Sequence, residues 1–183
     1  MSLRADSARV RARMVEAARA RITAGDLDLP MNAIAKDAGV GVGTMYRHFA
    51  SRQALLETVA ADHYAALIDE ARAAAENPDA AAGLSDLLRA VLRCQLTDAA
   101  LAEVMALPRH ECPETLELGS RLTAESRRVL ERAREAGAIR PDVTGDDIRR
   151  LTCGVRYAVA SGEGDPTAAA DRYLDVVLRG LRP

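Results

Sequence analysis

Signals that start and stop helices recur along the whole of this chain, and the breakers between them are short, which leaves little room for anything but helices. The first helix is expected from about Ser7 to Ala24, with Val10, Met14, Ala17, Ala18 and Ile22 repeating on one face and Gly25 as its stop. Two short helices follow, over roughly 32–38 and 42–48, separated by Gly39. Ser51 then caps a long helix that reaches about Glu76 and ends at Asn77 and Pro78. Further helices are expected over roughly 79–95, 97–106, 113–136, 145–161 and 166–181. Pro113 and Pro166 stand where a first turn tolerates proline, Thr144 and Asp165 suit N-caps, and Gly137 follows an arginine-rich helix end as a C-terminal cap. Composition agrees. Aromatic residues are only 3% of the chain while alanine, leucine, arginine and glutamate dominate, a mixture that favours helix over strand. The expectation is an all-α protein of about nine helices, and 183 residues of which 49% are hydrophobic suffice for a sizeable core.

Charge is distributed unevenly. Residues 1–60 carry nine Lys/Arg (Arg4, Arg9, Arg11, Arg13, Arg19, Arg21, Lys36, Arg47 and Arg52) against six Asp/Glu, net +3, and the remainder carries 16 against 21, net −5. A basic N-terminal segment ahead of an acidic remainder fits a phosphate-binding module joined to a domain that does not touch nucleic acid. The three cysteines, Cys94, Cys112 and Cys153, are odd in number and widely spaced, so reduced thiols are expected, with neither a disulfide framework nor a zinc knuckle. No apolar run approaches the roughly 20 residues of a membrane span, and the arginine-rich start lacks the apolar centre of a signal peptide. A soluble, cytoplasmic protein is the expectation.

The segment Asn32 to Phe49, NAIAKDAGVGVGTMYRHF, carries the chemistry. A helix-turn-helix needs a small residue where its helices cross, a residue that tolerates positive φ in the turn, and apolar positions that hold both helices to a third. Ala35 is the small residue, Gly39 the turn, and Ile34, Ala38, Val40 and Met45 the apolar contacts. The second helix then presents Val42, Gly43, Thr44, Tyr46, Arg47 and His48, its N-terminal turn directed into a major groove. Gly43 permits close backbone approach to a phosphate, and the unpaired N–H groups of that turn attract an anion. Thr44 and Tyr46 offer hydroxyls, and Arg47 a forked donor for phosphate or a guanine edge. His48 reads as a phosphate contact before a core residue. Arg52 is a cation in the first turn of the next helix, where the macrodipole disfavours it, and a phosphate partner would explain it.

The run Ile34 to Leu56, IAKDAGVGVGTMYRHFASRQALL, resembles the signature of TetR-family regulators, and the MVEAAR turn, Met14 to Arg19, is similar to that family's first helix. The resemblance extends over roughly residues 7–67. It implies a homodeomain-like three-helix DNA-binding domain over 1–50 and a helical regulatory and dimerisation domain over 51–183. It also carries phosphate-contact roles onto Thr44, Tyr46, His48 and Arg52. Gly41 and Val42 depart from the family's usual hydroxyl and polar or basic pair; Val42 suits a thymine methyl instead. The ending EAGAIRPDVTGDDIRRL and the helix after it resemble the SbtR-like C-terminal subclass.

That family implies a homodimer on a palindromic operator in double-stranded DNA, with a ligand cavity among the middle helices and release by a small molecule. Candidates for the cavity are His63, Leu88, Leu92, Met105, His110, Leu116 and Tyr157. For the leucines and Met105 a plain core role fits the same pattern, for His63 a satisfied polar role, and for Tyr157 an interface. His110, Glu111 and Cys112 are too close together to complete a metal site without distant ligands, so no metal and no cofactor is expected. Val155 and Val159 on one helix, with Tyr173, Leu174, Val177, Leu178 and Leu181 on the last, form the apolar stripes expected at the dimer interface. The chain has no GxSxG, P-loop or HExxH, which disfavours an enzyme. A small helical enzyme, or a metabolite-binding protein without DNA binding, is the alternative.

Overall fold

The computed structural model describes the chain from Leu3 to Pro183, with side chains from Ala5 onward; the side chain of Arg4 lies outside the described residues. Nine helices are found among the described residues: α1 Leu3–Thr23, α2 Met31–Asp37, α3 Val42–His48, α4 Arg52–Glu76, α5 Ala80–Thr97, α6 Ala99–Ala106, α7 Pro113–Glu135, α8 Gly145–Ala160 and α9 Pro166–Gly180. These match the expected elements closely. The largest difference is at the start, where α1 begins before Ser7. Its apolar repeat begins at Val10, so periodicity could not detect the preceding polar turn.

Local chemistry explains the boundaries. Ser51 Oγ accepts the Ala54 N–H at 3.0 Å at the head of α4. Asp79 caps α5 by accepting from the Ala81 and Ala82 N–H groups. Thr144 and Asp147 form a reciprocal capping box on α8, and Asp165 with Pro166 opens α9. Gly39 and Gly137 take φ of +66°, the left-handed value their helix ends require.

The helices fall into two compact units. The first holds the chain up to Asp62 together with Ala99–Leu116, so α6 and the start of α7 belong with the N-terminal helices. Its core is Met14, Ala18, Leu29, Ile34, Ala35, Met45, Phe49, Leu55 and Leu101. Leu29 is fully buried and has φ +48°, a conformation that costs a non-glycine residue about 1–2 kcal/mol. The second unit holds His63–Asp98 and Glu117–Pro183, with α5, α8 and α9 packed on one another. Leu84, Leu87, Leu88, Leu92, Val155, Val159 and Leu174 are buried there. With so few aromatics, close helix approach takes the place of large side chains. At buried Gly83 a Cβ would lie 2.4 Å from the Ala74 carbonyl oxygen.

Candidate nucleic-acid interface

In the helix-turn-helix, Ile34, Ala35, Ala38 and Met45 are buried as the pattern requires, while Val40 is half-buried. The turn is closed by hydrogen bonds from the Gly39 N–H to the Lys36 carbonyl at 3.1 Å and from the Val40 N–H to the Ala35 carbonyl at 2.9 Å. Met45 fixes the rotation of α3, so the opposite face must look outward. Val42 is 42% exposed and Tyr46 50%, with Gly43 and Arg47 exposed beside them and Thr44 and His48 half-buried. This gives one apolar contact, one phenolic hydroxyl and one guanidinium on a two-turn surface. Arg47 is folded along its own helix, donating to Thr44 Oγ1 at 2.9 Å and to the Gly43 carbonyl at 3.3 Å. Both acceptors are neutral, and Arg47 has no ion pair among the described residues.

Arg52 has a different environment. Its Nε donates to the Asp28 carbonyl at 2.9 Å, and one of its NH₂ groups donates to the Leu27 carbonyl and, at 2.8 Å, to Glu103. It thereby clamps the loop that carries strained Leu29. A cation at the head of α4 thus has protein acceptors of its own on Nε and on one NH₂ group.

A residue that the sequence reading passed over organises the other side of this unit. Glu57 is fully buried on α4. Its carboxylate accepts from Gln53 Nε2, the Glu111 N–H and the Cys112 N–H, each at 2.8 Å, and so ties down the loop ahead of α7. Burial pushes its pKa up, but these hydrogen bonds outweigh burial and hold the carboxyl below its ordinary value. Its helical phase was legible, because Glu57 lies seven residues before buried Tyr64.

The same charge decides the chemistry of the loop. Burial and the neighbouring Glu57 carboxylate push the Cys112 thiol up to about 11, so it is a neutral thiol at pH 7. Its Sγ points at the Ala54 carbonyl, 3.6 Å away. Glu111 accepts from Ser51 Oγ, and His110 Nδ1 lies 3.8 Å from Glu57.

The expected ligand residues differ in burial and are divided between the two units. Leu88 and Leu92 are buried and Met105 half-buried, whereas Leu116 (58%) and Tyr157 (73%) are exposed in the protomer. His63 is exposed and pairs with Asp98. A groove of about 340 Å³ opens in the first unit between α1 and α4, lined by Arg11, Val15, Glu16, Arg19, Thr58 and Asp62 among others, and none of the expected ligand residues lies along it. Of the expected interface residues, Val155, Val159, Leu174 and Leu181 are buried within the protomer, and Tyr173, Val177 and Leu178 are half-buried. Among the described residues, the exposed large apolar side chains on these two helices are Leu151, Tyr157 and Val176. No helix among the described residues is long and apolar enough to cross a membrane.

Comparison with known proteins agrees with this architecture. Residues 15–59 match the model of bacterial regulatory proteins of the tetR family, and residues 77–183 match that of the SbtR-like transcriptional regulator C-terminal domain. No curated protein matches the chain. Among solved structures, a TetR transcription regulatory protein from Mycobacterium vanbaalenii is 31% identical over 100% of both chains, with a TM-score of 0.53. The TetR transcriptional regulator SCO0520 from Streptomyces coelicolor is 30% identical over 94% of this chain and 98% of its own, with a TM-score of 0.57. The ketosteroid transcriptional regulator KstR2 of Mycobacterium tuberculosis shares the fold at 21% identity, covering 94% and 95% of the two chains, with a TM-score of 0.64. Matching an SbtR-like C-terminal domain over more than half its length behind a tetR-type helix-turn-helix, the chain belongs to the TetR family of DNA-binding transcriptional regulators, which are not enzymes.

Proposed function

We propose that this regulator binds a palindromic operator as a two-fold dimer, reading it through α3, and that a small molecule bound by the second unit releases it, so that it acts as a repressor. The observation that carries the reading is the outward face of α3, where Val42, Gly43, Tyr46 and Arg47 are exposed above a buried Met45. Val42 suits a thymine methyl and Arg47 a guanine edge or a phosphate; Thr44, Tyr46 and His48 supply backbone contacts. Arg52 has one NH₂ group beyond those that hold the loop, and that group serves a phosphate.

The dimer is supported by an apolar flank on the last two helices that the protomer leaves exposed or half-buried. On α8 it runs through Leu151, Gly154 and Ala158, with Tyr157 beside them, and on α9 through Ala169, Tyr173, Val176 and Gly180. Each stripe repeats at i, i+3 or i+4, and its small residues permit close approach by a second copy. Two such hairpins form a four-helix bundle, whose axis brings two α3 helices to successive major grooves. A coupling of about 1–3 kcal/mol between effector and operator shifts affinity roughly 5- to 150-fold, enough for regulation.

The test is binding of the purified protein to duplex fragments of the region upstream of its own coding sequence, with a metabolite panel added to the bound complex. Salt-sensitive binding to one fragment, reversed by one compound, is the expected result. Absence of binding to every fragment overturns the operator reading, and a complex that no compound releases overturns the effector.

A further inference from the structure

We propose that Arg13, on α1, is a contact to the DNA backbone made from outside the recognition helix. The inference rests on the DNA-binding reading above and deepens it. Among the described arginines of α1, four of five already have protein partners. Arg9 pairs with Asp6. Arg11 donates to Thr58 Oγ1 at 3.1 Å and lies over the Phe49 ring, 5.0 Å from its centroid. Arg19 pairs with Asp62 at 2.9 Å, and Arg21 bridges Asp26 at 2.8 Å and Asp37 at 2.7 Å. Arg13 is exposed and has no hydrogen bond or ion pair among the described residues.

Its location gives that unspent charge a use. A Cβ on Gly39 would lie 3.7 Å from an Arg13 NH₂ nitrogen, so the guanidinium rests against the turn between α2 and α3. Lys36 stands exposed at the end of α2, and the nearby carboxylate of Asp37 is already taken by Arg21. The turn therefore carries positive charge with no ion-pair partner among the described residues, immediately ahead of the exposed Val42 end of α3. Phosphates flank the groove that α3 enters, and a cation on this side of the turn meets them without reading sequence.

A cation already paired within the protein neutralises little phosphate charge and so displaces few of the cations condensed on the duplex. An unpaired cation that meets a phosphate contributes its full share, about 0.9 in the slope of log K against log salt. Arg13→Gln is therefore expected to reduce that slope by about 0.9 and to weaken binding roughly five- to eightfold at 0.1–0.15 M salt, equally on operator and on unrelated duplex. Arg9→Gln, whose charge is spent on Asp6, should leave the slope nearly unchanged, and Arg13→Lys should retain it. Fluorescence anisotropy on a labelled duplex across a salt series reads all four proteins, with melting temperatures confirming that each is folded. If the unmodified protein binds DNA and Arg13→Gln keeps its slope and affinity, the assignment of Arg13 is overturned while the DNA-binding reading stands. A loss on operator alone overturns it as well, since it would make Arg13 a base reader. If the unmodified protein binds no duplex, both readings fall.

Discussion

Replacing Glu57 with Gln exchanges one carboxylate oxygen for an NH₂ group in the interior of the first unit, and the structure sets the cost. The carboxylate accepts three N–H groups at 2.8 Å, those of Gln53 and Glu111 on Oε1 and that of Cys112 on Oε2. An amide keeps one acceptor oxygen and turns its NH₂ toward the third donor. One charge-assisted hydrogen bond worth about 1.5–3 kcal/mol is lost, and the Cys112 N–H is left unsatisfied at about 1–3 kcal/mol. Removing a buried charge returns part of its burial cost, so the net loss is expected at roughly 2–5 kcal/mol, a large share of a typical 5–15 kcal/mol stability. Urea unfolding of both proteins at pH 7 measures it. The pH dependence has a definite sign. Because the folded state holds this carboxyl below its ordinary value of 4.5, its contribution is complete above that value and disappears as pH falls through the lower folded one. The difference between the two proteins should therefore shrink below about pH 4. Cys112 supplies an independent reading. Its alkylation rate should titrate near 11 in the unmodified protein and at a lower pH in the variant, where the Glu57 charge no longer opposes the thiolate. Equal stability at pH 7, or an unchanged thiol titration, would refute the account of this network.

Three further outcomes are expected. Gly83→Ala should destabilise the protein by about 1–3 kcal/mol, because the added Cβ meets a backbone oxygen that cannot move aside; a melting temperature unchanged from the parent would show that α4 and α5 separate freely at this point. Val176→Arg should yield a folded monomer by light scattering, with operator binding lost, since Val176 is 66% exposed in the protomer and its replacement costs stability only where a second copy covers it; a folded, dimeric variant would move the interface away from α9. Tyr46→Phe should weaken binding to all duplexes alike by about 1 kcal/mol, the worth of one hydrogen bond, whereas an altered sequence preference would make Tyr46 a reader of bases.

The helices were legible because their determinants are local. Caps at Ser51, Thr144 and Asp165, glycines at 39 and 137, and prolines at 113 and 166 act within one turn of themselves, so they can be read without knowing what lies across the core. The helix-turn-helix was legible for the same reason, since Ala35, Gly39 and Met45 must recur at set spacing whatever the rest of the chain does. Partnership was not. Arg52 was read as a phosphate contact at the head of α4, and the protein acceptors it also has lie on the loop before α2 and on α6, 24 to 51 residues away. Arg13 looked like any other arginine of α1, and only the pairing of its neighbours singles it out. Val155 and Val159 share an apolar stripe with interface-like spacing, yet period alone cannot say whether a stripe faces its own core or a second chain. Sequence thus determined where helices begin and end and which segment forms the helix-turn-helix, because those depend on neighbours along the chain. The tertiary structure decided which charges are spent, which thiol is inert and which apolar face is left over, because each depends on what folding brings within about 4 Å.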